Sequence, residues 1–350
     1  MGLKKIRELN GDEILAGDII TNDYQVILPA GSVIRKDYIE KLSELNIEEV
    51  YVRDEKTEKD KIIIIRSEIE RSIKKTVREI LERHTYQNNG ELAELSIAAD
   101  NIIYSIIREE QVVERVYDIK ERSADIYEHS VSICSLAILT ALKLGAEYRT
   151  IHDIGVGCLL HDIGLRYMEV DYFNQDVDTL SKHQKSEFRK HPVYGYTSLK
   201  NEAWISEVSK NIILYHHEKL DGSGFPLHMK KVPFECQIVS VCDTFDEMIC
   251  GIACKKIKVY EAVEYLKSFK NLLFDGKIVD AFLSFTAVYP VGSHVITNEG
   301  ELAVVVSQNK EFQDRPVLLI LKDKNGNDVK GEVKKNLVQI HNIFIEKAVD

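Results

Sequence analysis

The chain has 350 residues, 44% of them hydrophobic and 29% charged, more than one mean domain length, so two or three domains are expected. Its formal net charge of -11 argues against the broad basic footprint that a nucleic-acid polymer requires. No apolar run approaches the roughly 20 residues that span a bilayer. MGLKKIREL lacks the apolar core of a signal peptide, and the six cysteines sit in apolar surroundings without a CxxC pair, so the sequence predicts a cytoplasmic protein with reduced thiols.

Residues 1–53 read as a small α+β module. EILAGDII and YQVILPAGSVI read as short strands, RKDYIEKLSELN as a helix and IEEVYV as a strand. The charged run RDEKTEKDK, 53–61, reads as a linker. From Ile62 to about Phe285 the spacing predicts helices: apolar residues recur at intervals of three and four in IERSIKKTVREILERH and VSICSLAILTALKLG. QNNGE interrupts this pattern, and DGSGFP (221–226) does so more strongly. After VYPVGSHV the period becomes two: HVIT, ELAVVVS, RPVLLIL and NLVQIH read as strands, with KNGN as a hairpin turn. The division expected is 1–53, a linker and helical segment 54–118, a main helical domain 119–285, and a small β module 286–350.

TIHDIGVGCLLHDIGLRY, 150–167, contains HDIG twice, with its histidines nine residues apart. On a continuous helix nine residues turn about 900°, half a turn out of phase. The two His-Asp pairs then face opposite sides, and one site cannot hold both. His161-Asp162 follows an apolar run and starts from the core, which favours it as the site. His152-Asp153 follows GAEYRT and is expected in the first turn of a helix, with Asp153 near the positive dipole end.

Further candidate ligands lie elsewhere in the helical block. DIYEHS places Asp125 and His129 four apart, expected on one helical face. RKHPVYG supplies His191, YHHEKLDG supplies His216 and His217, and VCDTFD supplies Asp243 and Asp246. Histidines with carboxylates and no cysteine make a nitrogen–oxygen set suited to iron, manganese, zinc or a related divalent ion. The set exceeds the needs of one ion. Two ions sharing a carboxylate, about 3.5–4 Å apart, suit phosphoester hydrolysis: a hydroxide bridging the metals attacks at neutral pH while the ions take up charge on the phosphoryl oxygens. Bound ions also give an acidic chain local positive charge.

The block from about Asp125 to Phe285 resembles the HD-GYP subgroup of HD-domain phosphohydrolases. EHS with His129, HDIG at 161–164, HP at 191–192, HHEKLDGSGFP at 216–226 and CDTFDEM at 242–248 occur in the right order over nearly half the chain. The resemblance implies a mainly α fold: an all-helical HD-domain core, 119–285, that is catalytic, flanked by the N-terminal α+β and C-terminal β modules. It implies hydrolysis of cyclic di-GMP, or a related 3′,3′-cyclic dinucleotide, to linear pGpG or GMP. It also implies two or three divalent ions, iron or manganese, held by His129, His161, Asp162, His191, His216, His217 and Asp243. Asp162 would bridge two ions and act with His161 in catalysis. Asp125 stands where members with a third ion place a Glu. Implied substrate contacts are Asp221, Gly224, Phe225 and Lys255. The expected partners are the cyclic dinucleotide, a second copy of the chain through the long helices of 62–118, and a signalling partner on the flanking modules.

Three positions depart from the family pattern. Leu165 stands where a Lys is usual, and the neighbouring Arg166 lies about 100° around a helix. The eponymous GYP reads Gly224-Phe225-Pro226, which keeps a ring able to stack on guanine, worth on the order of 1–3 kcal/mol per base. Ile252 stands where an Arg is usual, three residues before Lys255. A complete metal shell beside a depleted substrate shell leaves three readings open: a cyclic-dinucleotide phosphodiesterase of reduced activity, a phosphohydrolase for another phosphoester, and a non-catalytic metal-holding signalling module.

Overall fold

The computed structural model describes residues 2–11, 13–15, 19–20, 26–28, 32–44, 47, 49–52, 67–87, 90–108 and 125–349. The chain divides into two compact units, 63–288 and the terminal segments 1–62 with 289–350. The predicted linker 53–61 lies outside the described residues.

The N-terminal segment contains β1 (Gly2–Lys5), β2 (Ile19–Ile20), β3 (Val26–Leu28), α1 (Lys36–Glu44) and β4 (Glu49–Val52). β1 pairs antiparallel with β4, and β2 with β3. Ile6, Leu15, Ile34, Leu42 and Val50 form its core.

The helical unit runs through α2 (Ser67–Gln87), α3 (Glu94–Arg108), α4 (Ile126–Lys143), α5 (Tyr148–Leu160), α6 (Lys182–Phe188), α7 (His191–Leu199), α8 (Glu207–Tyr215), α9 (Phe234–Cys250), α10 (Val259–Ser268) and α11 (Gly276–Leu283). α4 is buried almost without a break from His129 to Ala141; a helix apolar on all sides belongs in an interior. It packs between α5 and α9, α5 in turn packs on α8, and α2 and α3 cover α4 and α5. α9 stops where Gly251 turns left-handed at φ 79°, a conformation that favours glycine after a helix end. All six cysteines are free thiols. Burial pushes those of Cys134, Cys158, Cys236 and Cys242 well up, and that of Cys254 to about 12, which leaves them as inert core groups.

The C-terminal segment is a five-stranded antiparallel sheet of β5 (His294–Thr297), β6 (Leu302–Asn309), β7 (Phe312–Lys322), β8 (Lys334–Asn336) and β9 (Ile345–Val349), ordered β8-β7-β6-β5-β9. Val295, Val305, Leu318 and Leu337 lie in its core. KNGN turns as expected: Asp323 Oδ1 accepts from the amides of Asn325 and Asn327. NLVQIH is not a strand. The Asn336 side chain accepts from the Val338 amide, an Asx turn that ends β8 at its first residue. In this sheet sequence patterning missed β9, whose middle residues are exposed and carry little alternation; in the N-terminal segment it missed β1.

Candidate metal centre

The local structure around the second HDIG explains its composition. α5 ends at Leu160, His161 keeps helical dihedrals as the C-cap, and Asp162 breaks away at φ -97°, ψ 10°. A Cβ on Gly164 would lie 1.9 Å from the His191 carbonyl oxygen, so only glycine lets this turn lie against the start of α7. His191 opens α7, His216 caps the end of α8, and His217 follows it. His129 comes from the first turn of α4 and Asp243 from the middle of α9. Helix ends and two buried helices thus deliver seven side chains to one place.

Those seven form two adjoining groups. Asp162, His191, His216 and His217 make one; His129, His161 and Asp243 make the other. Asp162 lies between them. Its Oδ1 is 3.3 Å from His191 Nε2 and 3.7 Å from His216 Nε2, and its Oδ2 is 3.4 Å from His161 Nε2 and 3.7 Å from His129 Nε2. Asp243 also faces both groups: Oδ1 is 3.3 Å from His129 Nε2, and Oδ2 is 3.6 Å from His217 Nδ1.

These residues fit divalent cations. His129 Nε2, His161 Nε2 and both oxygens of Asp243 are buried without a hydrogen-bond partner among the described residues, and unpaired buried polar atoms are costly. Four rings have their other nitrogen engaged. His161 Nδ1 meets the Cys158 carbonyl at 2.7 Å, His191 Nδ1 that of Phe188 at 2.8 Å, and His216 Nδ1 those of Ile212 and Ile213 at 3.1 Å. His129 Nδ1 lies 2.7 Å from Asp246 Oδ2. Donating through Nδ1 leaves Nε2 as a lone pair, the usual arrangement around a metal. His191 Nε2 and His216 Nε2 then point two lone pairs at each other across 3.2 Å, which a shared cation would relieve.

The charges agree. Burial pushes the Asp162 and Asp243 pKa values up, but the surrounding histidines overcome it and hold both well below the usual carboxylate range. Burial pushes His161 down, and Asp162 and Asp243 overcome it and raise it to about 10. Burial and the neighbouring rings keep His216 and His217 low. Ionised carboxylates and neutral imidazoles are the ligating forms; His161, and His129, which Asp243 and Asp246 raise likewise against burial, each give up a proton when a cation takes its place.

The first HDIG is elsewhere. His152 Nε2 lies 3.0 Å from Ser96 Oγ and 3.7 Å from Asp100 Oδ1 on α3. Since α5 begins at Tyr148, His152 and Asp153 belong to its second turn, not its first. Asp125 also stands apart from the cluster. It is the N-cap of α4, extended rather than helical, and its Oδ1 accepts from the Tyr127 and Glu128 amides. It therefore does not share a helical face with His129.

The loop after α8 is pinned to the centre. Glu218, which the sequence reading did not single out, accepts from the Leu227 amide at 2.6 Å and the Met229 amide at 2.9 Å. A Cβ on Gly224 would lie 2.4 Å from the His217 carbonyl oxygen, so the loop lies directly on the His217 backbone. Phe225 consequently stacks on the His217 ring at 4.5 Å and 26°, and so is already engaged rather than open. Asp221 is exposed and caps the turn, accepting from the Ser223 amide at 2.8 Å. Lys255 is exposed. Lys219, also missed, is drawn in by Ser240 and Thr244, each 2.9 Å from its Nζ. The second carboxylate of VCDTFD, Asp246, orients His129 and accepts from Ser132 Oγ.

The departures from the family pattern are built into the core. Leu165 is 3% exposed and packs with Val177, Phe188 and Phe225. Ile252 is 1% exposed. Arg166 donates to the Leu81 carbonyl and to the Tyr127 hydroxyl, away from Leu165.

Residues 113–278 match the HD domain family, and 294–350 match a KOW domain associated with HD domains. Curated relatives include the cyclic di-GMP phosphodiesterase PA4108 of Pseudomonas aeruginosa, 29% identical over 220 residues, 62% of this chain and 53% of the relative. The cyclic di-GMP phosphodiesterase response regulator RpfG of Xanthomonas campestris pv. campestris is 32% identical over 152 residues, 42% of this chain and 40% of the relative. The chain thus spans about half the length, or less, of these relatives. Bd1817, an HDG"Y"P protein from Bdellovibrio bacteriovorus, shares the fold with a TM-score of 0.55 at 21% identity, over 80% of this chain and 97% of that one. No described helix is long and apolar enough to cross a membrane.

Proposed function

This chain belongs to the HD-GYP subgroup of the HD-domain family, and on that premise we propose that it hydrolyses cyclic di-GMP, or a related 3′,3′-cyclic dinucleotide, to linear pGpG or GMP. The observation that carries the reading is the pair of adjoining His/Asp groups joined by Asp162, with buried ring nitrogens and carboxylate oxygens that no group among the described residues satisfies.

His129, His161, Asp162, His191, His216, His217 and Asp243 would hold two ions, iron or manganese. Bound there, the ions would supply a nucleophile from water at neutral pH and take up charge on the phosphoryl oxygens. The chain's own part is positional. Asp162 presents one oxygen to each group, and Asp243 does the same from the α9 side. Asp246 and the backbone carbonyls fix which nitrogen points inward for His129, His161, His191 and His216. The loop held by Glu218 sets Phe225 over His217 at the edge of the centre. A second copy of the chain is proposed to dock on α3, where Ile97, Tyr104 and Ile107 are exposed at helical spacing, and the flanking modules are proposed to receive a signalling partner.

The burial of Leu165 and Ile252 favours a second reading, a phosphohydrolase for a different ester, because neither position offers a phosphate a hydrogen bond. The test is cyclic di-GMP hydrolysis by anaerobically purified protein loaded with iron or manganese, followed by chromatography. Product supports the first reading. Turnover of p-nitrophenyl phosphate without cyclic di-GMP cleavage supports the second, and neither activity in metal-replete protein leaves the signalling module.

A further inference from the structure

We propose that Arg189 is the anion-binding residue of the substrate pocket, doing the work that a Lys at position 165 and an Arg at position 252 would otherwise do. The inference rests on the phosphodiester reading above and names the side chain that grips the ester.

Most cations around the centre are engaged by other groups. Arg166 donates to the Leu81 carbonyl and the Tyr127 hydroxyl. Lys219 is half-buried, with its Nζ donating to Ser240 and Thr244 and lying 4.5 Å above the Phe274 ring. Lys190 pairs with Glu187 at 2.7 Å. Lys185 pairs with Asp178 at 2.5 Å. Arg189 shares that same Asp178 at a looser 3.6 Å, while the aspartate side chain is itself 68% exposed. A pair of this kind in water contributes little and yields readily to a stronger anion.

The position of Arg189 supplies the rest. It follows Phe188, whose carbonyl holds His191, so the chain that carries the guanidinium also carries a member of the His/Asp cluster. Its guanidinium carbon lies 5.5 Å from the centroid of Phe225, and Phe225 is stacked on His217 of the cluster. A single aromatic ring therefore separates the guanidinium from the centre. A guanidinium over an aromatic face keeps its N–H edge free to bond outward. That edge suits a phosphate oxygen pair or the acceptor edge of a guanine, both of which Arg binds bidentately. Phe225 is thereby less a bare platform for a base than the support on which Arg189 is held.

The test compares wild type with Arg189→Ala and Arg189→Lys, all metal-loaded, with metal content measured on each sample. Affinity is read with a slowly hydrolysed phosphorothioate analogue of cyclic di-GMP and, separately, with inorganic phosphate. Arg189→Ala should weaken analogue binding by about 10- to 100-fold, raise KM more than it lowers kcat, and leave the metal content unchanged. Arg189→Lys should recover part of the loss. Lys185 remains to pair Asp178, so the fold should persist, and thermal unfolding checks this. Equal affinities in wild type and Arg189→Ala would overturn the inference while leaving the proposed reaction intact. Arg189-dependent phosphate binding without dinucleotide binding would overturn the cyclic-dinucleotide reading and keep Arg189 as the anion site. Wild type that binds neither probe would overturn both.

Discussion

The same four residues, HDIG, occur twice within one stretch of chain and do different work. The first copy lies inside α5 and turns His152 toward Ser96 and Asp100 on α3. The second straddles the end of α5 and turns His161 and Asp162 into the cluster. Nine residues of helix account for the opposite facing. The glycines differ as well. A Cβ on Gly155 would meet the Ala99 Cβ at 3.2 Å, whereas one on Gly164 would run into the His191 backbone at 1.9 Å. The motif is thus a property of the surroundings: a helix end, a close backbone and facing histidines make the second copy a site, and the first lacks them.

The two copies should differ most at Asp162. Asp162→Ala removes a carboxylate that presents one oxygen to each group, and hydrolysis should fall by at least about 10³-fold, measured as initial rate on the phosphoester that wild type turns over. Next, Gly164→Ala should destabilise the helical unit toward the upper end of the roughly 1–3 kcal/mol typical of overpacking. Gly155→Ala should stay within about 1 kcal/mol of zero, since the helix gains what the tight contact costs; chemical denaturation of the two variants reads the difference. Asp246→Asn should weaken metal binding by about 10- to 100-fold by loosening His129, as read by competition with a chelator. The smallest change is expected from His152→Ala, which loses the Ser96 hydrogen bond and about 1 kcal/mol of stability, with turnover unchanged.

Much of this was legible in the sequence. Helical periodicity located α2 and α4, and the His-containing motifs together with VCDTFD named the seven side chains that the fold gathers. Helix phase separated His161 from His152, and the apolar run before His161 favoured it as the site. What the sequence hid depends on cooperation across elements. Asp125 looked like a ligand four residues from His129, but an aspartate just before an apolar helix is also a good cap, and that is its place here. Leu165 looked like a lost substrate contact; it is part of an apolar cluster with Phe225 and Phe188, visible only once α6 and the 218–229 loop are folded together. Glu218 carries no periodic signal, because its partners, the Leu227 and Met229 amides, lie nine and eleven residues along a loop. In the C-terminal sheet, NLVQIH has the alternation of a strand, but Asn336 turns the chain with its own side chain.

The most direct test is the number of metal ions per chain, determined on anaerobically purified wild type and on two paired variants, His161→Ala with Asp162→Ala, and His152→Ala with Asp153→Ala. A dinuclear centre on the second copy predicts two or more ions in wild type, loss of them in the 161/162 variant, and full retention in the 152/153 variant. Wild type that binds no more than one ion, or ions lost from the 152/153 variant and kept by the other, would contradict it.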